Sequence, residues 1–463
     1  MGLKVAIAGA SGFVGNHLID NIKENFEVLG LSRFLRQSKD SQVTWREVDL
    51  FSLNSTRNGL READVAIYLV HSMLPSTRLF QGNFKDTDLL LADNFARSCI
   101  ENNVKQIIYL GGLIPNGQLS EHLQSRKEVE NVLKATGIPT TILRAGMVVG
   151  KGGSSFEILR SLVNNLPFMV LPNWTQNKTQ VIYIDDLINI ISKCIGNQEH
   201  YDKTIDVING ENLTYEQLIR TLADKGKLKR AMLSVPINSV KFSKLWVTIF
   251  GQSTFELVSP LVDSLLCHFD SHTQSPFIRE NIEYRTFAKM IEKINSTTVR
   301  EKRSRIKRKL KESNSVRSIQ RLPKIKDIDC KFIAKEYIEW LPIYMKTLIH
   351  VKTNEQHDEI MFHLSFMPNT PLLILKYIPG KYDQDRQKFH IIGGLLSKTT
   401  HTGWLEFRQV LNKEYTIAAI HEFIPSLPWY IYIVTQAPMH KIVMDAFTKH
   451  LKEESPILRT KTS

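Results

Sequence analysis

The opening stretch "LKVAIAGASGFVGNHLIDNIKEN" constrains the fold more than any other part of the 463-residue chain. Leu3 to Ala8 is a short apolar run that breaks directly into "GASGFVG", after which Leu18, Ile19 and Ile22 recur on one side of a helical pattern. The order is strand, glycine-rich turn, helix. Gly9 permits the tight bend, Gly12 lets a pyrophosphate approach the backbone, and Gly15 lets the helix pack close to the strand. Ala10, Ser11, Phe13 and Val14 complete a loop that faces phosphates at the helix N-terminus. Further apolar runs at 26–31, 65–70, 105–112 and 139–146, with helical segments between several of them, predict an α/β fold. The expectation is a doubly wound parallel sheet of the dinucleotide-binding, Rossmann type, with its ligand at the carboxyl ends of the strands.

A dinucleotide site of this kind usually offers an acid to the ribose hydroxyls after the second strand, whereas this chain reads "LSRFLRQ", with Ser32, Arg33 and Arg36. A guanidinium forms a bidentate pair with a 2′-phosphate, so NADP is favoured over NAD. Solvated loop charges are the plain alternative for both arginines. Asp49 and Leu50, in "REVDL", stand where an acid meets the adenine edge.

"GASGFVG", "VDL", "YLVHSM", "YLGGL", "LRAGMVVG" and "VIYIDDLI", in this order over about residues 1 to 225, resemble the atypical extended branch of the short-chain dehydrogenase/reductases. The resemblance implies that Ala145 and Gly146, in "LRAG", lie beside the nicotinamide end, and that Val70, His71 and Gly111 face the cofactor side. Typical relatives carry a Tyr-x-x-x-Lys pair, Tyr as general acid/base and Lys on the nicotinamide ribose; a spacing of four puts both on one helix face. Here the matching stretch is "HLQSR", so His122 stands for Tyr and Arg126 for Lys. The serine that usually assists is replaced by the "GGL" of Gly111 to Leu113. An imidazole titrates near neutral pH, which keeps acid/base work open for His122, while Arg126 exchanges no proton and is left to contact cofactor. Both residues on the wet face of a helix is the third reading. Oxidoreductase and non-catalytic NADP or redox sensor are therefore rival functions.

The net charge of +13 is local: twelve Lys/Arg against two Glu fall between Arg300 and Lys326. The run 300–311 is either a solvated linker or a contact for an anionic membrane surface; without interleaved aromatics, nucleic acid is disfavoured. Four scattered cysteines, Cys99, Cys194, Cys267 and Cys330, show neither metal spacing nor a disulfide framework and fit a reducing cytoplasm, with attachment to the membrane's inner face as the alternative that the basic run leaves open. The chain reads as a dinucleotide-binding domain with a small substrate-side lobe (1–230), a helical segment (231–299), a basic linker (300–326) and a second domain (327–463). Apolar residues at Val240, Phe242, Leu245, Trp246, Ile249 and Phe250 mark a helical stripe in the segment. In the last domain, several strands followed by one long helix after Pro428 predict an α+β, helix-grip-like fold. It resembles a domain of unknown function related to polyketide cyclases and lipid-transfer proteins. That resemblance implies a lipid-like ligand between sheet and helix, and a third reading, lipid or isoprenoid handling; a filled core is the alternative.

Overall fold

The structure, a computed structural model, describes residues 2–38, 40–72, 79–115, 117–236, 284–296, 315–325, 328–380, 384–398 and 403–453, with isolated positions at 248, 259, 262–263 and 269. The chain divides into two compact units, Met1–Leu74 with Leu91–Lys302, and Pro75–Leu90 with Arg303–Ser463. The stripe at 240–250 and the basic run 300–311 lie outside the described residues, apart from Thr248.

In the first unit, seven parallel strands lie in the order Thr204–Val207, Thr140–Ala145, Gln106–Gly112, β4 (Val65–Tyr68), β1 (Lys4–Ala8), β2 (Glu27–Ser32) and β3 (Val43–Glu47). The central strands "KVAIA" and "VAIY" are apolar on both faces because helices cover both sides of a parallel sheet. From β1 the chain winds outward through β2 and β3, then returns to place β4 on the other side of β1. That reversal opens a crevice at the carboxyl ends of β1 and β4, the place where doubly wound sheets take ligands. Helix α1 (Phe13–Ile22) follows β1, α2 (Leu53–Gly59) follows β3, and α3 (Phe84–Glu101) and α4 (Glu121–Lys134) flank the 106–112 strand in sequence. The expected strands all form, with ends shifted by one or two residues.

Beyond the sheet, strands Met147–Val149 and Val181–Tyr183 pair in parallel, as do Phe168–Pro172 and Ala231–Val235. The span read as wholly helical from 231 thus begins with a strand. Its described helix, Phe287–Ser296, is tied to the start of helix Ile184–Cys194 by Lys293–Asp185 at 2.5 Å and by an Arg285–Asp186 ion pair.

The second unit is an eight-stranded sheet, ordered Ile349–Thr353, Glu359–Leu364, Met367–Tyr377, Arg386–Gly393, Trp404–Gln409, Thr416–Phe423, Val316–Leu322 and Leu79–Gln81. All neighbours are antiparallel except the last pair, which is parallel. Two of these strands were not foreseen: Val316–Leu322 lies inside the stretch read as linker, and Leu79–Gln81 inside the stretch read as part of the first domain. Helices Cys330–Tyr344 and Gln436–Glu453 supply the core with the alternate residues Phe389, Ile391, Leu405, Phe407 and Ala418 of the sheet. Tyr337, Phe407 and Phe447 meet there at centroid separations of 5.1–5.4 Å, so aromatic rings pack between sheet and helix. The single long helix expected after Pro428 is two, Trp429–Val434 and Gln436–Glu453. Pro438 explains the break at Thr435: its ring excludes the Val434 carbonyl from a helical bond.

Candidate active site at the carboxyl edge of the parallel sheet

The glycine turn is shaped by close approach. Gly9 sits at φ +86°, and a Cβ there would lie 3.2 Å from the Leu69 backbone on the neighbouring strand end. A Cβ on Gly15 would come within 2.4 Å of the Gly9 carbonyl, so only glycine lets α1 start this close to β1. Gly12 is exposed, donates to the Gly9 carbonyl at 2.9 Å and caps α1 without any side-chain hydrogen bond at the cap. A helix start with an exposed glycine and no side-chain cap is fitted to a dinucleotide's pyrophosphate. Phe13 turns away from this opening towards Gly150 and Gly153, which joins the turn to the lobe; Ala10 is fully buried, and Ser11 and Val14 are half-buried.

One strand over, Ser32 is buried while Arg33 is exposed at the end of β2. The Arg36 guanidinium lies 5.1 Å from the Trp45 ring centroid, a stacking that occupies it and leaves Arg33 as the more available cation. Asp49 receives the Phe51 amide at 3.1 Å, and the Leu50 carbonyl accepts Asn94 Nδ2 at 2.7 Å. These bonds fix the loop after β3 beside the same edge.

On the other side of β1, Val70 and His71 follow β4, and α4 brings His122 and Arg126 to the end of the 106–112 strand. Ser120 caps α4 by accepting the Leu123 amide, and a Cβ on Gly112 would stand 3.1 Å from Leu123 and 3.8 Å from Arg126 Cγ. Gly112 thus lets α4 lie close against the strand. Arg126 Nη1 makes one long bond, 3.5 Å to the Leu110 carbonyl, and its buried Nε has no hydrogen-bond partner. An unpaired buried donor costs about 1–3 kcal/mol. The His71 and His122 rings stand 6.4 Å apart, centroid to centroid, edge to face. Burial and then the Arg126 charge hold the His122 imidazole down at about 3. His71 keeps an exposed surface although many protein atoms surround it; their desolvation, then Arg126 and His122, lower it as well. The near-neutral titration expected of His122 does not hold: at neutral pH the cluster is one guanidinium beside two uncharged imidazoles.

Residues that sequence reading passed over hold α4 in place. Glu130, almost fully buried, receives Arg144 through Nε at 3.1 Å and Nη2 at 2.9 Å, together with Lys127 at 2.8 Å and Lys134 at 3.0 Å. Burial pushes the Glu130 carboxyl up, but these cations outweigh it and hold it below the usual range. Arg144, in the "LRAG" motif, is therefore a strand-to-helix clamp. Ala145 is buried, and its neighbour Gly146 is required by space: a Cβ would sit 2.1 Å from the Gln180 carbonyl. Gly111 abuts the Tyr109 ring, whose hydroxyl donates to the Arg126 carbonyl at 3.2 Å. All the residues singled out in this domain therefore collect on one sheet edge.

A second charged cluster, also unforeseen, lies in the C-terminal unit. Glu406 is fully buried and takes Arg386 at 2.6 Å, Arg408 at 3.1 Å and His421 Nε2 at 3.1 Å, with Trp404 stacked on His421 at 4.7 Å. Burial alone would raise the Glu406 carboxyl, yet the two guanidiniums and His421 hold it well below the ordinary carboxylate range. The only sequence signal was charge on alternate positions of adjacent strands, which reads equally as a wet face.

Residues 9–164 match the family described as NAD(P)H-binding. The auxiliary protein GraX of Staphylococcus aureus is 29% identical over 122 residues, 26% of this chain and 40% of GraX, so the match spans less than half of that relative. A nucleoside-diphosphate-sugar epimerase of Staphylococcus aureus superposes with a TM-score of 0.51 at 16% identity, over 63% of this chain and 100% of the epimerase. The Citrobacter sp. triphenylmethane reductase, solved with NADP(H), gives 0.51 at 15% identity, over 63% and 99%. The first unit therefore has the Rossmann-like fold that this epimerase and this reductase share, and the stretch matching the NAD(P)H-binding family begins at its glycine turn. Among the described residues no helix is long and apolar enough to cross a membrane.

Proposed function

We propose that the chain is an NADP-dependent oxidoreductase of the atypical extended short-chain dehydrogenase kind, working with His122 and Arg126 where relatives use Tyr and Lys. The observation that carries this reading is the collection of the glycine turn, Arg33, His71, His122 and Arg126 along one carboxyl edge in sheet order. Gly9, Gly12 and Gly15 would admit the pyrophosphate, Arg33 the 2′-phosphate, and Asp49 the adenine side. Ala145, Gly146 and Gly111 would border the nicotinamide end. When bound, the nicotinamide supplies hydride transfer. His122, uncharged at neutral pH, would take the hydroxyl proton of an alcohol through a ring nitrogen in the oxidising direction and, in the reducing direction, pass to the substrate oxygen a proton drawn from solvent. Arg126 orients and neutralises without exchanging protons. The small substrate would enter from the lobe beyond Gly146.

The low titration of His122 also favours a second reading, an NADP sensor that binds without turnover. A lipid-handling role has less support, since aromatic rings pack between sheet and helix in the C-terminal core. Fluorescence titration with NADPH and NADH, followed by a scan for oxidation with aldehydes and quinones, separates the readings. Preferred NADPH binding with oxidation is expected. Binding without oxidation would leave the sensor, and binding of neither cofactor would end both.

A further inference from the structure

We propose that Arg126 anchors a binding site for an anionic group of the substrate, a carboxylate or a phosphate, beside the nicotinamide end. The inference rests on the reading of the glycine turn as the pyrophosphate cradle. Two packed arginines of the first unit are neutralised by carboxylates: Arg97 pairs with Asp93 at 3.0 Å and Arg144 with Glu130 at 2.9 Å. Arg126 differs. Among the described residues no ion pair joins it to a carboxylate, one long carbonyl bond is the only hydrogen bond of its guanidinium, and its Nε is buried without a partner. The side chains grouped with it, His71 and His122, do not offset its charge.

The cofactor does not supply the counter-charge. NADP is negative at its pyrophosphate and its 2′-phosphate. The strand whose Leu110 carbonyl Arg126 touches lies two strands from β1, which carries the glycine turn, and three from β2, which carries Arg33. At the usual strand spacing these strands lie roughly 10 Å and 14 Å away, so the glycine turn and Arg33 stand nearer to those phosphates than the strand that Arg126 touches. The nicotinamide half is neutral when reduced and cationic when oxidised, and a cation beside Arg126 is repelled. An anion bound there must therefore come from the substrate. A guanidinium takes either a carboxylate or a phosphate in a planar two-point grip, which is why Arg serves here better than Lys.

Calorimetric titration of the full chain, saturated with NADPH, tests this with oxalate and inorganic phosphate as probes of the two classes. One of them is expected to bind with a stoichiometry of one. Arg126→Gln should weaken that binding about tenfold or more, as the loss of a charge-assisted bond predicts, with NADPH affinity held within about threefold. Arg126→Lys, which keeps the charge and loses the fork, should weaken it by less. The proposal is overturned if neither probe binds wild type, if Arg126→Gln binds the probe as well as wild type, or if NADPH affinity falls in parallel with it. Should Arg126→Gln fail to fold, an unaltered probe affinity in Arg126→Lys overturns it. If NADPH itself does not bind, the cofactor reading fails, and the probes are titrated into the chain alone. Binding lost in the Arg126 variants then sustains the anion site, and no binding overturns it.

Discussion

Two charge clusters in this molecule follow opposite rules. Around Glu406, two guanidiniums and an imidazole converge on one carboxylate inside a sheet, and each charge has an opposite within 3.1 Å. Around Arg126, one guanidinium keeps two neutral imidazoles for company and, among the described residues, no carboxylate. A buried charge is costly unless paired. The first cluster meets that cost internally and so reads as architecture. The second leaves it open at the carboxyl edge of a parallel sheet, where doubly wound folds take ligands, and so reads as a site.

The sharpest way to break the comparison is to unpair the first cluster. Glu406→Gln removes the carboxylate charge that Arg386 and Arg408 share, and removing one partner of a buried pair costs about 3–5 kcal/mol. Denaturant unfolding of the full chain, followed on the C-terminal transition, should lose that much; a loss under about 1 kcal/mol, the range of a surface pair, would mean the cluster is solvated and the contrast false. The pH dependence has a definite sign. The folded Glu406 carboxyl titrates below its unfolded value, so its contribution is present above about pH 4.3 and fades as pH falls below it. Glu406→Gln should flatten that acid-side slope.

At the second cluster, His122→Phe should lower turnover by about a hundredfold or more, the usual weight of a positioned acid/base group, while NADPH affinity stays near wild type. Unchanged turnover would remove His122 from the chemistry. Stability should move the other way on the acid side. His122 titrates at about 3 in the folded chain against about 6.5 unfolded, so the unfolded chain gains a proton first and stability declines as pH falls through that window. Phe at this position carries no such liability, and its acid-side curve should lie above wild type.

The two clusters also divide what could be read in the sequence from what could not. The glycine turn was legible because its demands are local: Gly9, Gly12 and Gly15 each answer to a backbone within a few residues or on the next strand. The parallel strands were legible because burial on both faces writes unbroken apolar runs. Strand Val316–Leu322 was not, since Arg317 and Arg321 on it are satisfied by Glu422 and Asp86, 105 and 235 residues away in sequence. Its charges look like a continuation of the basic linker until those partners are in view. Arg144 hid in the same way behind Glu130. The spacing of four between His122 and Arg126 was visible, but the protonation state of His122 was not, because packing and the fold-dependent approach of Arg126 set it.

A milder change sharpens the cofactor half of the comparison. Arg33→Ala removes an exposed cation at the end of β2 and should weaken NADPH about tenfold, the worth of a charge-assisted contact to phosphate, while NADH moves little. Equal losses for both cofactors would make Arg33 a general surface charge.

The smallest expected effect is the control for all of these. Lys105 reaches Asp64 at 2.7 Å, a shorter distance than those of Arg408 or His421 to Glu406, yet its side chain is 70% exposed. If distance decided, Lys105→Ala would rank with Glu406→Gln. If desolvation decides, as the contrast between the clusters requires, it should cost about 0.2–1 kcal/mol and less at high salt. Asp64 keeps the Lys4 amide at 3.0 Å in either case, so the variant removes one exposed cation and leaves the carboxylate's other bond in place. A loss of several kcal/mol here would show that proximity alone gives these charges their weight, and the distinction between paired architecture and open site would need another basis.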